Sequence, residues 1–512
     1  MIQRFRALRA FDDPGWRRTF FICVSIAFVL HCLAAVFSVG FYHTDEHFQV
    51  LEFLNYKLGR STGSELAIEF GQRLRSWFQP GMDYVFARGM QTLGISSPFT
   101  WAFFFRLFSA VLGWISLATL SVLSYSWFDD KRLRRIALIL VASLWYLPAF
   151  HARHSSESLS SSVFYIAASL LFIFTEAESL LYYFGIGLLL GAAFLFRFQV
   201  AFLIIGALGY FWLHCRPPLS RVLVIKVGIL AMIGIGVCID HWGYGEWTFT
   251  PWNYFHYNLV LGHVADVDTQ PVWDFFTKSL TETFPALGFL TLCSFVLGWI
   301  FRPFHLLTAI TFPLYLVHSL IGHKELRFIW PITDAGPFLI LLALTARHRA
   351  GQAWNHIWWS KSGTITRRVL FGINLIALLP TTLLPCWPPA RLFAQIYEIK
   401  QNELPHSSMV ILYKDKNPFE ILWIPLCYYR PDDTSSSQID SFATLNEKII
   451  SAKEPVWYFQ VGFDLPADAG LARERCTLVA QSMPEPVLWI VRWPPLAPIT
   501  RRVTNWTLYR CQ

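Results

Sequence analysis

Apolar runs of about twenty residues recur along most of this chain, separated by short loops, and no other feature restricts its fold as strongly. A run of that length crosses the hydrocarbon of a bilayer as a helix. Such runs fall at roughly 19–42, 99–127, 135–150, 159–176, 179–197, 198–214, 222–240, 283–301, 304–322, 327–345 and 368–387. They predict an all-α polytopic membrane protein with about eleven transmembrane helices. Only 15% of the 512 residues are charged and 54% are hydrophobic, where a soluble chain carries about a quarter charged. The first run is longer than a signal-peptide core and has no small-residue cleavage site before its acidic end, so it reads as a retained span. The net charge of +8 does not indicate nucleic acid. The basic residues sit in loops between apolar runs, as membrane topogenesis requires.

Those basic loops set an orientation. Arg4, Arg6, Arg9, Arg17 and Arg18 hold the N-terminus in the cytoplasm. Counting spans from there places "DDKRLRR" (129–135), "CRPPLSR" (215–221) and the segment 346–368 on the same side. The same count sends "HTDEHFQ" (43–49), "HARHSSES" (151–158), "DHWGYGEWTFTPWNYFHYN" (240–258) and "GHKELRF" (322–328) to the opposite face. Polar groups are costly at the hydrocarbon boundary unless paired, so these segments are expected to converge on one polar cavity.

After Pro388 the composition changes. "SMVILYKD", "EPVWYFQVGF", "PVLWIVRW" and "NWTLYRC" read as strands, and "SQIDSFATLNEKIISAK" as an amphipathic helix. Residues 1–390 are therefore read as a transmembrane catalytic domain and 395–512 as a small non-cytoplasmic α/β domain. Nine cysteines occur without CxxC spacing, which argues against a zinc ribbon or redox motif. Cys427, Cys476 and Cys511 fall on the oxidising side, and two of them are expected to form a disulfide.

Two motifs carry chemistry. In "HTDEHFQVLE" the adjacent acids Asp45 and Glu46 cap the following helix, or one of them is a general base on a hydroxyl. His43, Asp45 and His47 also invite a metal, but the ligands are few and no second cluster has ligand spacing, so none is expected. In "HKELRF", His323, Lys324 and Arg327 gather positive charge in a short loop where topogenesis disfavours it, which suits a phosphate or diphosphate. Arg73 and Arg75 beside Trp77 suit lipid headgroups or an interfacial anchor. His151, Arg153, His154 and Glu157 line a cavity or cap spans, and Trp247, Trp252, Tyr254 and Tyr257 stack on sugars or belong to an aromatic belt.

These residues resemble a known family. "HTDEHFQVLE" is similar to the HPDE-x-x-Q-x-LE signature of the glycosyltransferases that include the ALG-type and GPI-type mannosyltransferases. "RLRSWFQP" resembles that family's RS-x-x-x-P segment and "HKELRFIWP" its HKE-x-RF-x-x-P motif, in consistent order over roughly 40–335. "GYGEWTFTPWNYFHYN" resembles a segment of the transferase that adds the third mannose to GPI anchors. Thr44 replaces the usual proline, and an aromatic-Glu-aromatic segment is reduced to "LAIEF". The resemblance implies a GT-C fold and an inverting enzyme that moves mannose, or a related hexose, from a polyprenyl-phosphate donor to a glycan or glycolipid acceptor. It implies Asp45 as base, helped by Glu46, and His323, Lys324 and Arg327 at the donor phosphate. Gln49, Glu52, Arg75, His154, Glu325 and Trp247 are then expected at the substrates. No metal or other cofactor is required, because protein cations meet the leaving phosphate. The setting implied is the endoplasmic reticulum or a bacterial inner membrane, working on the non-cytoplasmic face. The alternative is a polytopic lipid or glycan transporter, whose coupling residues belong near mid-membrane rather than at span ends.

Overall fold

The computed structural model describes residues 7–345, 359–492 and 504–512. Arg4, Arg6 and most of the basic segment 346–368 lie outside the described residues. Every predicted apolar run becomes helix. Among the described residues, seven helices are long and apolar enough to cross a membrane: Pro14–Phe37, Pro98–Ser124, Ser156–Ile173, Phe198–Cys215, Leu219–Tyr244, Leu326–Ala343 and Lys361–Leu383. Leu180–Phe196, Leu287–Phe301 and Leu306–Leu320 are apolar and shorter. The protein is a multi-pass membrane protein. Its first span starts earlier than its hydropathy suggests, because the Asp13 carboxylate accepts hydrogen bonds from the Gly15 and Trp16 amides and caps the helix at Pro14.

The chain forms two compact units. The first contains Met1–Phe37, Gln72–Val85 and Phe104–Leu384. Its helices pack through small residues, as membrane helices do where backbones must approach. Helices Leu180–Phe196 and Leu219–Tyr244 meet at Gly187 and Gly228, where a Cβ on either glycine would run into the other helix's main chain. A polar seam runs through this apolar packing. Asp334, fully buried, accepts hydrogen bonds from Ser116 (2.6 Å) and Ser161 (2.5 Å) and lies 3.3 Å from His151. His151 in turn meets His31 of the first span at 2.9 Å. Asp334 sits at the far end of the 3-10 helix Leu326–Ala335, so the seam anchors the helix that carries Arg327.

The second unit contains Ser38–Gly71, Phe86–Phe103 and Pro385–Gln512. Its described residues hold seven strands: β1 (Met409–Tyr413), β2 (Glu420–Ile421), β3 (Ile424–Pro425), β4 (Thr434–Gln438), β5 (Val456–Val461), β6 (Cys476–Gln481) and β7 (Trp506–Cys511). Five form a mixed sheet in the order β4-β1-β5-β7-β6, with β1 parallel to both its neighbours and β7 antiparallel to both of its own. Helix Phe442–Ser451, capped by Ser441, connects β4 to β5 and buries Phe442, Leu445 and Ile449 against Leu412, Tyr458 and Tyr509. Cys476 and Cys511 are register partners and form a disulfide, so two of Cys427, Cys476 and Cys511 do pair. One expectation fails here. "PVLWIVRW" reads as a strand, but Glu485–Arg492 is a helix. Its apolar run does not alternate, and Pro486 suits a first helical turn, so length and pattern favour helix over strand.

Candidate active site

Each unit carries one of the two motifs. In the first unit, the loop His323–Glu325 joins helix Leu306–Leu320 to helix Leu326–Ala335. Arg327 is buried, and its Nε bonds the Glu325 carboxylate. Its Nη1 lies 3.5 Å from Oε1 of Glu157, which sits in the first turn of helix Ser156–Ile173 behind the Ser155 cap. That same oxygen is 2.8 Å from Nη1 of Arg197. Arg197 occupies the break after helix Leu180–Phe196, where an extended backbone (φ −153°, ψ 115°) turns its side chain inward. It also donates to Ser156 Oγ at 3.1 Å. Both guanidiniums lie over the Phe328 ring, at 5.7 Å for Arg197 and 5.4 Å for Arg327.

Arg75 stands over the ring of Tyr254, whose hydroxyl accepts from Gln199. The charges of Arg327 and Arg75 both act on Arg197. Arg197, Arg327 and Glu157 are thus buried together, with Arg75 and Glu325 partly exposed beside them, and positive charge exceeds negative in the cluster. Such an arrangement suits a phosphate, whose oxygens match the guanidinium fork.

The other expected residues of this unit are placed as follows. His323 pairs with Glu325 at 3.0 Å. Lys324 is 1% exposed, and its ammonium donates to the carbonyls of Ile321 (2.6 Å), Gln270 (2.9 Å) and Gly322 (3.3 Å). Burial pushes its pKa below the usual lysine range, against the pull of Asp274. His154 bridges Ser109 (2.8 Å) and Asp83 (2.9 Å). Trp247 is 69% exposed and stacks on His241 at 4.1 Å. Arg75 is held through its carbonyl by the Tyr244 hydroxyl, while Asp240 fixes the turn that follows it through Ser76 and the Trp77 amide.

In the second unit, the first-loop motif makes a helical turn Thr44–Glu46, a π-helical turn His47–Leu51 and a helix Glu52–Lys57. π-Turns of this kind are frequent at functional sites. The two acids divide. Glu46 is buried, and its Oε1 accepts the Tyr42 and His43 amides at 3.2 Å, closing a capping box. Asp45 keeps 22% of its side chain exposed, with Oδ1 3.6 Å from His43. Gln49 donates to Glu69, the acid of "LAIEF", at 2.8 Å. Glu52 is 1% exposed and accepts from His47 at 2.8 Å. The Nε2 of His47 is thereby committed to Glu52.

Arg197 is the cluster member that sequence reading missed. Its signal was a single arginine in "FRFQV", the one charge between Ser179 and Cys215. An isolated cation between apolar runs marks function by default.

A family model described as the Alg9-like mannosyltransferase family matches residues 19–414. Among individual proteins, a probable Dol-P-Man:Man(7)GlcNAc(2)-PP-Dol alpha-1,6-mannosyltransferase of Schizosaccharomyces pombe is 31% identical over 150 residues, 29% of this chain and 27% of that one. GPI alpha-1,2-mannosyltransferase 3 of Danio rerio is 32% identical over 129 residues, 25% of this chain and 23% of its own. The chain thus spans about a quarter of the length of the curated relatives it matches. The crystal structure of ArnT from Cupriavidus metallidurans in the apo state aligns with a TM-score of 0.50 at 13% identity, covering 97% of this chain and 98% of that one. That likeness is one of fold, which is of the GT-C type.

Proposed function

Because the chain belongs to the Alg9-like mannosyltransferase family, we propose that it transfers mannose, or a related hexose, from a polyprenyl-phosphate donor to a glycan or glycolipid acceptor. The observation that carries the donor class is the arginine pair on Glu157, with Arg327 and Arg197 at 3.5 and 2.8 Å from one carboxylate oxygen. Buried guanidiniums in excess over carboxylates favour a ligand that brings its own negative charge.

The chemistry divides between the motifs. The acceptor hydroxyl attacks the anomeric carbon while its proton passes to the Asp45 carboxylate. The bond from that carbon to the phosphate oxygen breaks, and its electron pair leaves with the lipid phosphate. Attack opposite the leaving group inverts the configuration. Arg197, Arg327 and Arg75 meet the charge that grows on the phosphate, so little general acid is needed. Glu46 serves by closing the turn that presents Asp45. Gln49 orders the first-loop motif through Glu69, His154 orders the polar groups at Ser109 and Asp83, and Trp247 meets the acceptor glycan or the headgroup layer. The reaction runs on the non-cytoplasmic face of an endoplasmic reticulum or bacterial inner membrane, in line with the basic loops. Membranes containing the protein, given radiolabelled polyprenyl-phosphate mannose, should label a glycan or glycolipid. Label that never leaves the donor, across a panel of lipid and glycan acceptors, would end this reading.

A further inference from the structure

We propose that Glu52 is a positioning residue through which the C-terminal segment Cys427–Tyr429 holds the Asp45 loop in its working geometry. This gives the outer domain a part in the reaction. The inference deepens the reading of Asp45 as the base and rests on it.

The residues concerned lie within one compact unit. Oε1 of Glu52 accepts three hydrogen bonds: from His47 Nε2 (2.8 Å), from the Cys427 amide (2.8 Å) and from the Tyr428 amide (2.9 Å). A carboxylate with one oxygen so occupied, in a residue 1% exposed, is badly placed to take a proton from a substrate. It is well placed to tie two chain segments together. Buried carboxylates are tolerated where donors surround them, and losing that shell is expensive. The bond to Glu52 puts the proton of His47 on Nε2.

Aromatic packing reinforces the tie. The ring of Tyr429 stacks on His47 (5.2 Å) and on Phe99 (5.0 Å), and the Tyr428 hydroxyl donates to the Pro98 carbonyl at 2.9 Å. The corner Cys427–Tyr429 is thus held on one side by the segment around Pro98 and on the other by His47. Only Glu46 separates His47 from Asp45, and its carboxylate is committed to the cap. A shift of His47 therefore moves Asp45. Misplacing a base by about 1 Å costs on the order of a hundredfold in rate.

Cys427 reports on the corner. Its thiol is buried beside Glu65 (3.6 Å), and burial, with the Glu52 charge, pushes it up to about 12. It should resist alkylation until the corner opens. The test uses the full-length protein in membranes, with Glu52→Ala, Glu52→Gln and Tyr428→Phe. Transfer kinetics are measured with polyprenyl-phosphate mannose, and N-ethylmaleimide uptake at Cys427 is mapped by mass spectrometry. Glu52→Ala should lower kcat about tenfold or more, leave donor KM within about threefold, and speed alkylation of Cys427. Glu52→Gln keeps an acceptor oxygen and should recover most of both. Tyr428→Phe, a milder change that preserves the fold, should shift both readouts in the same direction by about two- to fivefold. The proposal is overturned if Glu52→Gln is as inactive as Glu52→Ala while Cys427 stays protected, which marks a proton-transfer role. It is equally overturned if neither readout moves in any variant. Alkylation is read independently of transfer, so an inactive wild-type protein would sink the transferase reading and leave the tie to be judged separately.

Discussion

Arg197 and Glu157 meet at 2.8 Å, both nearly withdrawn from solvent, and Arg327 reaches the same carboxylate oxygen at 3.5 Å. A buried pair of this kind is costly to break, because removing one partner leaves the other charge uncompensated. Here the carboxylate fixes the spacing of two cations that a phosphate would bridge. Arg197→Ala should raise the donor KM by about tenfold to a hundredfold, the worth of a charge-assisted hydrogen bond of about 1.5–3 kcal/mol. Arg197→Lys should recover only part, since an ammonium lacks the planar fork. Kinetics at varied donor concentration decide the matter. A defect confined to acceptor KM would remove Arg197 from the donor site.

Asp45→Asn should lower transfer on the order of a hundredfold or more with normal membrane insertion. Glu46→Gln should be milder in kcat and should lower thermal stability, because its carboxylate serves the cap. Parallel rate and melting measurements separate the two. Asp45→Asn activity within a few-fold of wild type would exclude it as the base.

Lys324 and Arg327, neighbours in one motif, should fail differently. The Lys324 ammonium is engaged by three main-chain carbonyls. Lys324→Met should therefore destabilise the protein by about 2 kcal/mol while leaving donor KM near normal in the folded fraction. Arg327→Ala should raise donor KM first. Thermal melts in detergent paired with donor titrations would show it, and the reverse pattern would make Lys324 the phosphate ligand.

Unreduced peptide mapping should recover Cys476 linked to Cys511 and Cys427 as a free thiol. Burial, with the Glu52 charge, pushes the Cys427 thiol up to about 12 from an ordinary value of 9.0. Raising an acid's pKa shrinks its thiolate fraction below that pH, so alkylation should climb about tenfold per pH unit through the alkaline range. Ordinary thiols level off near 9.0. A Cys427 profile that levels off there too would show that the corner is open.

Sidedness can be read with single cysteines at Thr44, Arg132, Gly322 and Ser362 in an otherwise cysteine-free chain. An impermeant thiol reagent outside should label positions 44 and 322 and miss 132 and 362. If 44 and 322 label from opposite sides, base and phosphate ligands belong to different compartments and the transferase mechanism above fails.

Much of the fold was readable because lipid demands long apolar runs, and nothing in the chain competes with that signal. The strand assignment for Glu485–Arg492 failed where a short apolar run carries no period of two. At the site, both motifs could be found from residue types alone, and so could the capping role that Glu46 fills. Partners are another matter. Sequence spacing does not reveal that Glu157 joins Arg197 to Arg327, since the three lie on separate helical segments. Nor does it reveal that Lys324 faces carbonyls, or that Glu52 reaches Cys427 across most of the chain. Charge is visible in a sequence, but which charge meets which group is decided by packing.

The place of β7 in the sheet bears on how the protein is made. Trp506–Cys511 lies between β5 and β6, so those two strands have no neighbour on that side until the ribosome has produced it. Through the whole synthesis of β6 and helix Glu485–Arg492, β5 presents an open apolar edge, the kind that invites pairing with another chain. A nascent or truncated chain ending before Trp506 is therefore a natural client for chaperones and proteases. Cys511 finds Cys476 only after β7 has zipped into register, so the disulfide certifies a finished sheet.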